Sequence, residues 1–401
     1  MNALDVFLDR TRVGLLERLD EWQYRFSFDG SWLADPAHAV LGQIFEDRKP
    51  RDLETTGTLP PWFDHLLPPQ GGPLRRAIAR QSGIDPDDDF ALLQFLGADL
   101  PGAVVLLPGT PSLAREPQTP PAPAPPPAGP LRFSLAGMQW KLSLRAQDRK
   151  LTLPLRGETG GVIAKFPSPT YKDLPRIELA TMRWAQLSGV DVPPIRLAQA
   201  SDIEDLPEGI PTGDGTIYLI DRFDRRADGT RVHIEDFGQV LDRPADDHIY
   251  DARYEHLAIF LRYLPLADLR AFCERLVFCI LCGNTDAHVK NWSLIYPDGR
   301  HPRLAPAYDL VATVLYETPA ESSLALKLND SRRFEDISLA SFQPLAKVAG
   351  QPFADVSTWV REMTERVLTV WQEQAAELPY LPDERARLAA HAQRIPLARG
   401  A

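Results

Sequence analysis

The sequence predicts an α+β fold: a small N-terminal unit followed by a larger unit with a sheet-rich lobe and a helical lobe. Three observations carry this. A run too dense in proline for a sheet or a core, TPSLAREPQTPPAPAPPPAGP from Thr110 to Pro130, splits the chain. Beyond it come a strand, a strand ending in Lys165, an amphipathic helix and a further strand, in that order. After about residue 226 long patterns with three- and four-residue spacing take over. The expected divisions are an N-terminal subdomain at 1–109, a linker at 110–130, a small lobe at 131–225 and a helical large lobe at 226–401.

Composition limits the function classes. The 401 residues are 44% apolar and 25% charged, ordinary values for a globular chain that buries a large core. No apolar stretch approaches the length of a membrane span, and MNALDVFLDRTRVG is charged within ten residues and lacks a signal-peptide core. A cytoplasmic protein with no membrane partner is expected. The formal charge of -11, from 44 basic and 55 acidic residues, argues against direct nucleic-acid binding by the isolated chain and suits a basic protein partner. Cys279 and Cys282 have C-x-x-C spacing inside a helical pattern with no second pair, so they read as buried helix cysteines.

In the N-terminal subdomain, Leu4-Val6-Leu8 alternate as a strand and Val13-Leu15 supply its hairpin mate. LPPWFDHLLPP, Leu59 to Pro69, reads as a packed connector. Helices are expected at Leu74 to Gln81 and Phe90 to Leu96, the second with an N-cap and N1 proline from Asp85-Pro86-Asp87. Nothing here looks catalytic. The proline run reads as a semi-rigid spacer, with a ligand for a proline-recognition domain as the alternative.

The small lobe opens with Ser134-Leu135-Ala136-Gly137, whose small residues would let backbone N–H groups approach phosphate oxygens; an ordinary hairpin turn is the alternative. Alternation follows from Lys141 to Leu144, then GGVIAKFPSP as a strand ending in Lys165. Leu174 to Leu187 is an amphipathic helix stopped by Gly189. Glu178, expected in its first turn, is either the ion-pair partner of Lys165 or a carboxylate favoured by the helix dipole. Tyr218 to Phe223 is a last strand, after which backbone groups near Asp221 and Phe223 would be placed to read an adenine edge.

In the large lobe HIEDFGQVL and a helix at about Tyr254 to Tyr263 precede a long helix, in which Leu269, Phe272, Cys273, Leu276, Val277, Ile280 and Leu281 mark one buried face and Gly283 the stop. Trp292 to Tyr296 is a strand, Pro297-Asp298-Gly299 a turn, and Arg303 to Ala305 the returning strand. Leu324 to Lys327 reads as a short buried strand. Helices follow at Ala354 to Ala376 and Asp383 to Gln393, with Trp359, Met363, Val367 and Val370 on a core face.

This order of helix, loop, hairpin and loop returns Asp309 beside Asp286 and Asn291. The latter two are five positions apart, the D-x-x-x-x-N spacing in which the Asp orients or deprotonates a hydroxyl and the Asn amide oxygen binds magnesium. Asp309 would be the second metal ligand. Magnesium suits such hard oxygen donors and is commonly shared with substrate phosphates. Alternatively, Asn284, Asp286 and Asn291 are turn residues serving their own backbone.

SLAGMQWK, Lys165, IDRFDRR, IEDFGQ, GNTDAHVKNWSL, LAPAYDL and LALK stand in the order seen in HipA-type serine/threonine kinases, the toxins of bacterial toxin-antitoxin pairs, which the chain resembles. VGLL, LPPWFDHLLPPQGGPLR and GADLPGAVVLLP resemble that family's N-terminal subdomain, so the likeness spans nearly the whole chain. The resemblance implies a two-lobed kinase-like fold, with Asp286 as catalytic base and Asn291 and Asp309 on magnesium. It implies that Lys165 and Lys141 contact the ATP phosphates, Gly137 lies in the phosphate loop, and Asp221 and Phe223 hold adenine. His288 and Tyr308 fall at family-like site positions. Ser134 matches the serine whose autophosphorylation expels the loop and silences the enzyme, as a charge near -2 beside ATP would. The implied partners are a protein substrate, such as an aminoacyl-tRNA synthetase, and a helix-turn-helix antitoxin of HipB type. Two departures stand out: Trp140 replaces the usual acidic residue before Lys141, and Asp221 replaces a glutamate.

Two other functions compete with an ATP- and magnesium-dependent kinase. One is a toxin-like scaffold or co-repressor for the antitoxin, which needs none of Lys165, Asp286, Asn291 and Asp309. The other is a metal-dependent hydrolase on Asp286, His288 and Asp309, which leaves Lys165, the small-residue loop and the hinge strand without a role.

Overall fold

The computed structural model describes residues 2–48, 52–111, 139–147, 150–152, 160–206 and 209–400; Ser134, Gly137 and most of the proline run lie outside the described residues. Thirteen strands form three sheets among them. Strands β1 (Ala3–Leu8), β2 (Thr11–Arg18), β3 (Gln23–Phe28), β4 (Leu53–Thr56) and β5 (Val104–Pro108) make an antiparallel sheet ordered β4-β3-β2-β1-β5. Strands β6 (Lys141–Gln147), β7 (Lys150–Thr152), β8 (Val162–Lys165), β9 (Ile195–Gln199) and β10 (Thr216–Asp221) make the second, ordered β7-β6-β8-β10-β9. Strands β11 (His233–Asp236), β12 (Ser293–Tyr296) and β13 (Arg303–Leu304) complete the third, with the strand half of HIEDFGQVL paired to the strand after the Asp286 loop.

Side-chain alternation in the second sheet settles what each face covers. Leu142, Leu144, Val162, Ala164, Ile217 and Leu219 join the core of the first sheet, so the N-terminal unit and the small lobe share one apolar interior. Tyr218 and Ile220 point the other way, into the core of the large lobe. The helix Leu174–Leu187 packs there, against the helix Phe353–Gln374, which also flanks the buried helix Leu266–Cys282.

Three expectations are corrected. The helix Asp89–Leu96 is capped by Asp88, whose side chain accepts from the Ala91 N–H at 2.9 Å. Asp85 instead closes a turn around Pro86, taking the Asp87 N–H on its carboxylate and the Asp88 N–H on its carbonyl, both at 3.0 Å. Leu324 to Lys327 is buried through Leu326 but forms no strand, only a single bridge from Lys327 to Arg253. Glu178 lies beyond the first turn of its helix, which starts at Leu174 and holds no acidic residue there, so the dipole reading does not apply.

Two polar junctions hold the N-terminal unit against the rest. In one, Asp99 with Arg222, Asp224 and Arg225 forms a buried charge network across the hinge, and the Gly102 N–H donates to Asp224 at 2.8 Å. In the other, buried Glu235 of β11 accepts from the Gln43 N–H at 3.0 Å, the Trp62 indole at 3.3 Å and the Tyr296 hydroxyl. Burial nonetheless pushes the Glu235 carboxyl up to about 7. Between its ordinary 4.5 and about 7, the folded protein holds a proton that the unfolded chain releases, so this residue's contribution to stability falls as pH rises through that window. His233, held down to about 4 by burial, works in the opposite sense between about 4 and its ordinary 6.5, a window that overlaps that of Glu235. Comparing Glu235→Gln with wild type therefore isolates the carboxyl. The wild-type unfolding midpoint, followed by circular dichroism from about pH 5 to 8, should fall more steeply than the variant's; parallel slopes would contradict the assignment.

Candidate active site

Lys141 of β6, Lys165 of β8 and Tyr218 of β10 are directly opposite one another in the ladder, so all three project from one face. Like charges so placed repel unless a counter-charge bridges them. Asp309 does so, accepting from Lys141 Nζ at 3.2 Å on one carboxylate oxygen and pairing with Lys165 on the other. Lys165 also pairs with fully buried Glu178, the interaction expected of the helix carboxylate, and lies over the Tyr218 ring. Burial lowers the Lys141 ammonium and brings Lys165 down to about 8, against the opposing pull of Glu178.

Asp309 itself has a left-handed backbone, φ 54, a conformation that Asp tolerates better than most side chains and that recurs at functional sites. Its neighbours are anchored on both sides: the Ala307 N–H donates to Asp191 O at 2.8 Å, and the Ala312 N–H to Thr181 Oγ1 at 3.1 Å. Tyr308 stacks its ring on Phe223 of the hinge at 5.8 Å and donates its hydroxyl to Lys290 O at 2.9 Å. The tyrosine thus joins hinge, Asp309 segment and the Asp286 loop.

That loop begins where Gly283 ends the long helix at φ 72; a Cβ there would come within 2.4 Å of Val314. Asn284 is the turn residue, buried and accepting the Asp286 N–H on its side chain at 2.9 Å. Ala287 O accepts from Tyr254 and Trp292, each at 3.2 Å. Asp286 O accepts from the His288 N–H at 2.8 Å and from Asn291 Nδ2 at 2.6 Å. The last bond uses the amide nitrogen of Asn291, so the amide oxygen is the atom that would serve as a ligand. The Lys290 ammonium leaves the loop for the carbonyl of His65 in the N-terminal unit, at 3.3 Å.

His288 accepts the Lys290 N–H on Nδ1 at 3.2 Å, which places its own proton on Nε2, 3.7 Å from Asp286 Oδ1. Burial lowers its pKa and favours the neutral ring. With Nδ1 engaged and Nε2 protonated, the imidazole is poorly disposed as the metal ligand that a hydrolase would need. Among the described residues, no three His, Cys, Asp or Glu side chains cluster as a metal site. The donor set does fit magnesium shared with phosphates: one amide oxygen from Asn291 and a carboxylate from Asp309 that already attracts two cationic groups.

At the hinge, the Asp221 carboxylate pairs with Arg196 at 2.9 Å on the half-exposed edge, and its N–H bonds Pro194 O. Trp140 and Gln139 are the first described residues after the small-residue loop, and Phe166 ties them down through bonds from its N–H to Trp140 O and from Gln139 Nε2 to its own carbonyl, both at 3.0 Å. Sequence reasoning missed Tyr250, whose hydroxyl donates to Asp286 Oδ1 at 3.1 Å. It lies 36 positions upstream of Asp286, outside any local motif.

Residues 4–107 match the HipA N-terminal domain, and residues 133–371 the HipA-like C-terminal domain. Y4dM of Sinorhizobium fredii, provisionally named a kinase, is 36% identical over 100% of this chain and 98% of its own. The serine/threonine-protein kinase toxin HipA of Shewanella oneidensis is 26% identical over 86% of this chain and 85% of its own. A structure of Shewanella oneidensis HipA, solved with HipB and operator DNA, superposes with a TM-score of 0.71 at 23% identity, covering 98% of this chain and 96% of that one.

Proposed function

The chain belongs to the family of HipA-type serine/threonine kinases, and from that premise we propose that it is an ATP- and magnesium-dependent protein kinase. The observation that carries the reading is the convergence on Asp309 of Lys141 and of Lys165, itself paired with Glu178, from the sheet-rich lobe, while the helical lobe supplies Asp309 together with the Asp286 loop. A scaffold needs no such set. Lys141 and Lys165 hold the phosphates of ATP, and the backbone of Asp221 and Phe223 holds adenine. Magnesium, when bound by Asn291 and Asp309, neutralises charge on the phosphate oxygens. Asp286 receives the proton of a serine or threonine hydroxyl as the γ-phosphoryl group passes to it and ADP leaves.

Ser134 is the regulatory acceptor in the phosphate loop, supported by SLAGMQWK and by the two lysines that its phosphate would compete for. The partner is a helix-turn-helix antitoxin of HipB type, supported by the Shewanella complex. The substrate is a cytoplasmic protein of translation, of the aminoacyl-tRNA synthetase class, whose phosphorylation stops growth. Mapping by mass spectrometry after incubation with ATP and magnesium tests the regulatory part. Phosphate on Ser134, absent from Ser134→Ala and from Asp286→Asn, is expected; an active protein that never labels Ser134 would remove that serine from the account.

A further inference from the structure

We propose that Tyr250 is a positioning residue for the phosphotransfer base, its hydroxyl fixing one oxygen of Asp286 so that the other faces the acceptor. The inference rests on the kinase reading above. Tyr250 closes the short 3-10 turn Asp247–Tyr250, whose N-cap Asp246 accepts the His248 N–H at 2.9 Å. The Arg332 guanidinium donates to the Tyr250 carbonyl, and the ring meets His288 edge to face at 5.2 Å and 85°. The phenol is thus held at its backbone and at its ring, and its hydroxyl donates to Asp286 Oδ1 at 3.1 Å. His288 Nε2 approaches the same oxygen at 3.7 Å.

The backbone of Asp286 is fixed by Asn284, His288 and Asn291, but its carboxylate is 56% exposed, and an Asp carboxylate turns easily about its last torsion. Among the described residues, Tyr250 and His288 are the groups that reach it. Both lie on Oδ1, so the carboxylate plane is set from one side and Oδ2 is left to the incoming hydroxyl. A base oriented by a third group is a recurring arrangement in nucleophile activation, and small misplacements there cost large factors in rate.

The test is Tyr250→Phe, which keeps the ring against His288 and removes only the hydroxyl. In magnesium-dependent phosphate transfer from ATP, kcat should fall about tenfold while the KM for ATP and the unfolding midpoint stay as in wild type. A merely structural tyrosine would move the midpoint, or KM and kcat together, and would overturn the assignment. An unchanged kcat would also overturn it. So would a raised kcat, or phosphate mapped to Tyr250, since the phenol would then be a tethered stand-in for the acceptor hydroxyl. A wild type that transfers no phosphate overturns this proposal together with the kinase reading, whereas an active wild type with an equally active Tyr250→Phe overturns this proposal alone.

Discussion

Asp286→Asn is expected to slow phosphate transfer by about 10²- to 10⁴-fold, the usual contribution of a placed general base. The amide is nearly isosteric. The backbone bonds that shape the loop, from Asn284, His288 and Asn291, do not involve the carboxylate, and the amide oxygen still accepts from Tyr250. The unfolding midpoint and the affinity for ATP should therefore match wild type. Steady-state kinetics with calorimetric titration of ATP separates the outcomes. Lost ATP binding would move Asp286 from proton acceptor to nucleotide ligand, and an unchanged rate would remove it from the chemistry.

Lys165→Met should abolish transfer and also weaken the fold. Glu178 is fully buried and pairs with this lysine. Removing the ammonium leaves an uncompensated charge, at a cost of about 3–5 kcal/mol. The double variant Lys165→Met with Glu178→Leu removes both charges and should recover most of that stability, because a buried pair replaced by apolar groups is often close to neutral. Activity should stay absent in the double variant, since the Lys165 ammonium, which pairs with Asp309 and would spread phosphate charge, is still missing. Denaturant unfolding and phosphate transfer, measured on the same three proteins, distinguish a stability defect from a catalytic one. Recovery of activity along with stability would show that Lys165 serves only the fold.

What could be read from the sequence was what short spans encode. Alternation at Leu4-Val6-Leu8 and the three- and four-residue spacing from Leu269 to Leu281 specify a strand and a helix because each buries one face. Asp286, Asn291 and Asp309 fall within 24 residues that also contain a hairpin, so local order alone is enough to expect them near one another. The capping error has a local cause too: four acidic residues flank Pro86 and the helix start, each able to accept a backbone N–H, and composition does not choose among them.

Leu324 to Lys327 looked like a strand because burial and an apolar run are shared by strands and by segments packed under helices. Glu235 and Asp99 are buried acidic residues whose partners are distant along the chain, Trp62 for Glu235 and Arg222 for Asp99. Nothing within a few residues announces such a pair. Tyr250 is the same case in the site itself: its proximity to Asp286 comes from where the turn before the helix Tyr254–Leu261 is pinned by Arg332.

This chain is expected to transfer phosphate from ATP with the help of magnesium. Protein freed of phosphate should be incubated with γ-labelled ATP, with magnesium and separately with chelator, and the label followed into protein. The account predicts label with magnesium and none with chelator. No label in either case, together with ATP binding that is indifferent to magnesium, would contradict it and leave a protein that keeps the fold of a kinase for binding alone.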